Sequence, residues 1–147
     1  MVTRIALDTN VLVYALDGGA PTKQERAKAI LARLEGTSSV IPAQALAETS
    51  RVLLVKRRPH LPPDEVEVYI QGLAAAFEIA PLTELVVLDA VRGVEKYQLS
   101  YFDAQVWAAS KRAGATVLLT EDGQDGQNIE GVRLANPFTE TFDFDAL

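Results

Sequence analysis

The sequence predicts an α/β domain, a three-layer α/β/α arrangement around a mostly parallel sheet of about five strands. Three observations carry this expectation. Short β-branched and aliphatic runs alternate with helical periodicity along the 147 residues. The strand-like runs are apolar almost without interruption, as in strands covered on both faces. No repeat, low-complexity tract or Pro/Gly/Ser-rich linker divides the chain, so residues 1–147 are expected to form one domain, with 139–147 as a loosely attached acidic tail. A chain of this size buries roughly 68–70% of its unfolded surface, enough for a core without metal or disulfide staples.

The elements follow in order. Arg4-Ile5-Ala6-Leu7 is a buried strand closing at Asp8. Thr22 to Leu34 is a helix: Thr22 and Glu25 form a capping-box pattern, Ala27, Ile30, Leu31 and Leu34 share a face, and Gly36 ends it. Ser39-Val40-Ile41 is a short strand, and Pro42 suits the first turn of a helix running to about Lys56. Pro63-Asp64-Glu65 opens another helix, followed by a strand at Phe77–Ala80 and helices at Glu84–Tyr97 and Tyr101–Ala113, the second stopped by Gly114. Thr116–Leu119 is the clearest strand and Val132–Leu134 the last. Trp107 shares the apolar side of its helix with Phe102 and Val106 and is expected in the core, while His60 is expected in a solvated loop.

Composition narrows the function. The absence of cysteine excludes disulfides, a zinc ribbon and a thiol nucleophile. P-loop, GxGxxG and nucleophile-elbow patterns are absent from the sequence. The longest apolar run, Leu85 to Val91, is broken by Asp89 and falls well short of the ~18 residues a membrane span needs. Ile5–Leu16 is interrupted by Asp8 and Asn10 and lacks a signal-peptide cleavage site, so a soluble cytoplasmic protein is expected. Fourteen basic against twenty acidic residues give a net charge of −6. That surface repels a polyanion, and any nucleic-acid function must concentrate and neutralise the negative charge.

The acids are placed to do so. Ligands of parallel sheets bind beyond the carboxyl ends of the strands. Asp8 closes the first strand, Asp122 lies just past the strand ending near Thr120, Asp103 is in the first turn of the Tyr101 helix and Glu48 in the second turn of the Pro42 helix. All four face one rim. Hard oxygen donors without histidine or cysteine suit Mg²⁺ or Mn²⁺ rather than zinc. Each acid also has a structural reading. Ser100 to Asp103 is a capping box, Glu48 fits a solvated helix face, and Asp122 sits in turn-forming Glu121-Asp122-Gly123. Asp8, buried behind a strand, is the hardest to place without a partner.

Four segments in order, Leu7-Asp8-Thr9-Asn10-Val11-Leu12-Val13-Tyr14, Gln44-Ala45-Leu46-Ala47-Glu48, Tyr101-Phe102-Asp103-Ala104 and Leu119-Thr120-Glu121-Asp122, resemble the PIN-domain ribonucleases. Among these the chain is most similar to the VapC-type toxins of toxin–antitoxin modules, in register from Ile5 to Asn136-Pro137-Phe138. The resemblance implies a metal-dependent endoribonuclease using Mg²⁺ or Mn²⁺, inhibited by a small cognate antitoxin and commonly a homodimer. Asp8, Glu48, Asp103 and Asp122 match the family's acidic quartet, with Asn10 and Thr120 as polar helpers. In that scheme Asp8, Asp103 and Asp122 hold metal directly or through water, and Glu48 positions a metal-bound water. Outside it, Asp125 is a fifth acid in the last loop, a candidate to share or replace the role of Asp122. The tail from Thr139 to Leu147, with Asp143 and Asp145, has no counterpart in the resemblance.

Two alternatives stand beside this reading. A haloacid-dehalogenase-like phosphatase also uses an aspartate after the first strand, but wants a second one where Asn10 stands. A catalytically inactive PIN-like binding module would retain only the fold. The basic group Arg51, Lys56, Arg57 and Arg58 is either a solvated helix end, favoured here, or a hold for RNA phosphates. Aliphatics on the helices from Thr22 to Val55 are candidates for an antitoxin groove or a dimer face, or else belong to the core.

Overall fold

A computed structural model describes residues 3–147. All five expected strands are present: β1 (Ile5–Leu7), β2 (Val40–Pro42), β3 (Glu78–Ala80), β4 (Val117–Leu119) and, at the end, β6 (Val132–Ala135). They pair in parallel in the order β3-β2-β1-β4-β6. A sixth strand, β5 (Asn128–Ile129), adds an antiparallel edge beside β6. Two residues between turns carry no periodicity, which is why the sequence does not disclose it.

Side chains alternate across the strands and divide the core in two. Ala6, Val40 and Leu118 face α5 (Glu84–Tyr97) and α6 (Tyr101–Arg112), whereas Ile5, Leu7, Ile41 and Leu119 face α1 (Thr9–Tyr14), α2 (Pro21–Leu34) and α4 (Pro63–Ala76). Helix α1 was hidden in the sequence because its apolar residues run on directly from β1. The helix α2 starts one residue before the expected capping box, at Pro21, whose ring presets the helical φ; Thr22 caps nothing. Pro42 closes β2 and stands just outside α3 (Ala43–Arg51), which passes into one π-helical turn at Val52–Lys56. The capping box expected at Ser100 does not form.

Trp107 is buried as expected, donating from Nε1 to the Ile129 carbonyl at 3.1 Å. Phe102 is not in the core. The first turn of α6 projects past the rim of the sheet, leaving Tyr101 and Phe102 exposed, and burial begins only at Ala104. Of the aliphatics between Thr22 and Val55, Ile30, Leu34 and Leu53 are core and Val55 is exposed, while a further exposed stripe, Leu85, Leu88 and Val91, runs along α5. The tail lies along α2, where Arg33 donates to the carbonyls of Asp145 and Leu147 and Arg26 stands over the rings of Phe142 and Phe144. Among the described residues, no helix is long and apolar enough to cross a membrane.

Gly93 is where α5 meets the Trp107 ring: a Cβ there would fall 2.7 Å from Cζ3. Because the indole is held at both its edge and its nitrogen, it has little room to retreat. Gly93→Ala is expected to destabilise the fold by about 1–3 kcal/mol, read as a lower urea midpoint followed by the fluorescence of the single tryptophan.

Candidate metal centre

The chain order reverses around β1 and β4: β2 and β3 lie to one side, β6 and β5 to the other. This is the switch point at which parallel sheets open a crevice. Leu7 pairs with Leu119, and the Asp8 amide donates to the Leu119 carbonyl at 3.1 Å, so the two chain exits, Asp8 and Thr120, are neighbours. Thr120 Oγ1 donates to Asp8 Oδ2 at 2.8 Å, and the Thr9 amide donates to Oδ1 at 2.7 Å. Both oxygens of a buried carboxylate are thereby oriented.

Asp103 comes from the first turn of α6 and Asp122 from the loop after β4. One carboxylate oxygen each from Asp8, Asp103 and Asp122 lies within 4.8 Å of the others. Asn10 ties the loop in place: its Nδ2 donates to Thr120 Oγ1 at 3.3 Å and to Asp122 Oδ2 at 3.4 Å, and its Oδ1 accepts the Glu121 amide at 3.3 Å. Asn10 and Thr120 thus hold the acids, and the Asp122 amide also donates to Thr120 Oγ1 at 3.0 Å.

Glu48 lines the same cleft, of about 670 Å³, but stands outside the trio and is paired with Arg51 at 3.4 Å. Asp125 is placed elsewhere, accepting the Asn136 amide at 2.8 Å and lining another hollow. A group absent from the sequence reading braces the cleft wall at Tyr14 and Glu121, with Lys23 behind it. Tyr14 donates to Glu121 Oε1 at 2.8 Å, and Lys23 donates to Glu121 Oε2 and to the Tyr14 hydroxyl, both at 3.1 Å. No local pattern signals it, since three separate elements have to meet before the pairing exists.

Electrostatics sort the five acids of the cleft. Lys23 answers Glu121 and Arg51 answers Glu48, while Asp8, Asp103 and Asp122 have no cationic partner among the described residues. Burial pushes Asp8 up to about 6, the Thr120 and Thr9 hydrogen bonds pull it down, and repulsion from Asp122 and Asp103 adds to the rise. Asp122 is raised by partial burial and then by repulsion from Asp103 and Glu121. Three converging carboxylates, with neither nitrogen nor sulfur donors beside them, fit a small, hard divalent cation.

A family model described as PIN domain matches residues 5–125. The chain belongs to the PIN domain family. No curated protein matches its sequence. Solved structures share the PIN fold at low identity. VapC20 of Mycobacterium tuberculosis, described as a sarcin-ricin loop cleaving toxin, is 18% identical, with a TM-score of 0.64 over 81% of this chain and 90% of that one. A toxin–antitoxin complex from Klebsiella pneumoniae is 20% identical, with a TM-score of 0.61 over 90% and 97%. The DNA-bound VapBC of Salmonella typhimurium is 15% identical, with a TM-score of 0.63 over 92% and 99%. The PIN match ends before β5, β6 and the tail.

The Asp8 carboxyl gives a pH signature. Held at about 6 in the fold against 3.8 unfolded, it opposes folding by about 3 kcal/mol once both states are ionised. That opposition is absent below about pH 4 and complete above about pH 6. In EDTA, the stability advantage of Asp8→Asn over the parent is therefore expected to grow between these limits and then level off. Urea titrations across the range check this; a pH-independent difference contradicts it.

Proposed function

We propose that this PIN domain is a metal-dependent endoribonuclease, the toxin of a type II toxin–antitoxin pair, acting in the cytoplasm on RNA phosphodiesters. The observation that carries the reading is the convergence of three unpaired carboxylates at the switch-point cleft of a PIN fold. Support for the toxin assignment comes from neighbours of the same fold described as toxins or toxin–antitoxin complexes.

Asp8, Asp103 and Asp122 would hold Mg²⁺ or Mn²⁺. When bound, such an ion makes a water more acidic and offsets charge on the attacked phosphate. Glu48, across the cleft and outside the trio, orients the attacking water and accepts its proton at a carboxylate oxygen. Asn10 and Thr120 keep Asp8 and Asp122 at fixed separation, so the ligand set is preorganised before substrate arrives. Attack in line on phosphorus breaks the phosphodiester, and the departing oxygen takes a proton from solvent. A cognate antitoxin and a second copy of the chain are the expected protein partners. Exposed apolar side chains available to them include Leu85, Leu88 and Val91 on α5, and Val55 and Val68.

Incubating the protein with mixed RNA in Mg²⁺, Mn²⁺ or EDTA tests the reading. Cleavage is expected with either ion, none in EDTA, and a loss of at least about 100-fold in Asp8→Asn and Asp103→Asn. Hydrolysis of small phosphate esters with RNA intact would instead indicate the phosphatase. Intact RNA and esters alongside tight binding of a protein partner would indicate an inactive module.

A further inference from the structure

Two side chains in the cleft are left over by the metal centre. Phe102, one residue before Asp103, has 63% of its surface exposed while lining the cleft, and its ring rests tilted against Tyr101 at 5.4 Å. Arg51 is the only cation among the described residues lining the cleft. Its 3.4 Å contact with Glu48 is long and solvent-exposed, the kind of pairing that contributes little and is readily exchanged for a better anion. A guanidinium binds phosphate through two parallel hydrogen bonds, a geometry it does not have with Glu48, where one nitrogen makes the contact.

We propose that Phe102 and Arg51 grip one nucleotide of single-stranded RNA in the cleft, the base stacked on the Phe102 ring and a phosphate held by Arg51. The choice of polymer rests on the nuclease reading above. The surroundings of Phe102 favour a nucleotide over a protein side chain. The cleft sets the Phe102 face beside Val13, Val52 and Val106 and among Asp8, Asp103, Asp122 and the Arg51 guanidinium, a lining that matches a ligand with a π-surface and an anionic linker. Stacking on Phe102 requires a base with a free face, which a duplex does not present, so the grip selects unpaired RNA. Movement of Arg51 to the phosphate also frees the Glu48 carboxylate, coupling substrate arrival to release of that group.

The test measures binding rather than cutting. A fluorescein-labelled ten-nucleotide single-stranded RNA is titrated by anisotropy in Mg²⁺ at several salt concentrations, with every variant built on Asp8→Asn to suppress cleavage. Phe102→Leu, which keeps apolar bulk but removes the ring, is expected to weaken binding about tenfold, and Phe102→Trp to preserve it. Arg51→Ala is expected to weaken binding and to flatten the log–log salt dependence by about 0.7, the contribution of one phosphate contact. A duplex of the same sequence should bind no differently to the Phe102→Leu variant. Unchanged affinity in Phe102→Leu, or an unchanged salt slope in Arg51→Ala, overturns the grip. Weaker capture of a protein partner by Phe102→Leu, with RNA affinity intact, assigns Phe102 to protein docking instead. If the parent chain cuts RNA while Phe102→Leu binds normally, only the grip fails. If single-stranded RNA binds through Phe102 but the parent cuts nothing, only the nuclease reading fails.

Discussion

The pairing of β1 with β4 is the constraint on which the rest depends. These two strands are more than 100 residues apart in sequence, yet Leu7 stands opposite Leu119, and the chain leaves both strands at one point. Asp8 is consequently forced into a buried position beside Thr120, and the loop carrying Asp122 begins within reach of Asn10. A one-residue slip in this register would turn Leu7 and Leu119 to the other layer and point Asp8 away from the crevice. The centre is thus specified by the same apolar alternation that builds the core.

The acidic balance of the chain acquires a physical meaning here. Several surface acids are matched locally, such as Asp89 by Arg112 and Arg92, and Glu130 by Lys111. In the cleft the matching stops at the three carboxylates closest together. Leaving charges unpaired where one of them is nine-tenths buried is unfavourable for folding, and under the proposed reading a bound cation would offset that cost. In the proposed nuclease, the ion would let a protein of net negative charge approach a polyanion at the cleft.

Much of the architecture was legible because five strands and the longer helices carry their own periodicity and terminators. What escaped was short or collective. Helix α1 spans six residues that continue the apolar run of β1, and β5 spans two. The placement of Asp8, Asp103 and Asp122 along one rim follows from strand ends and helix starts, which sequence does indicate. Phe102 shares the apolar side of its helix with Val106 and Trp107 in the sequence. That spacing does not reveal that α6 begins beyond the edge of the sheet, where nothing covers the first turn. Lys23 was opaque for another reason, and Arg51 left two readings open: which acid a long side chain meets is decided only after folding.

The Lys23–Glu121 contact gives the centre an outside tether. Lys23 belongs to α2, a helix otherwise occupied with the core and with the chain's end, and Glu121 immediately precedes Asp122. Both groups are partly open to solvent, so their attraction is screened as ionic strength rises. Saline conditions therefore slacken the loop bearing the third carboxylate, and in the proposed nuclease they would loosen the hold on an anionic polymer as well, so that the two effects reinforce one another.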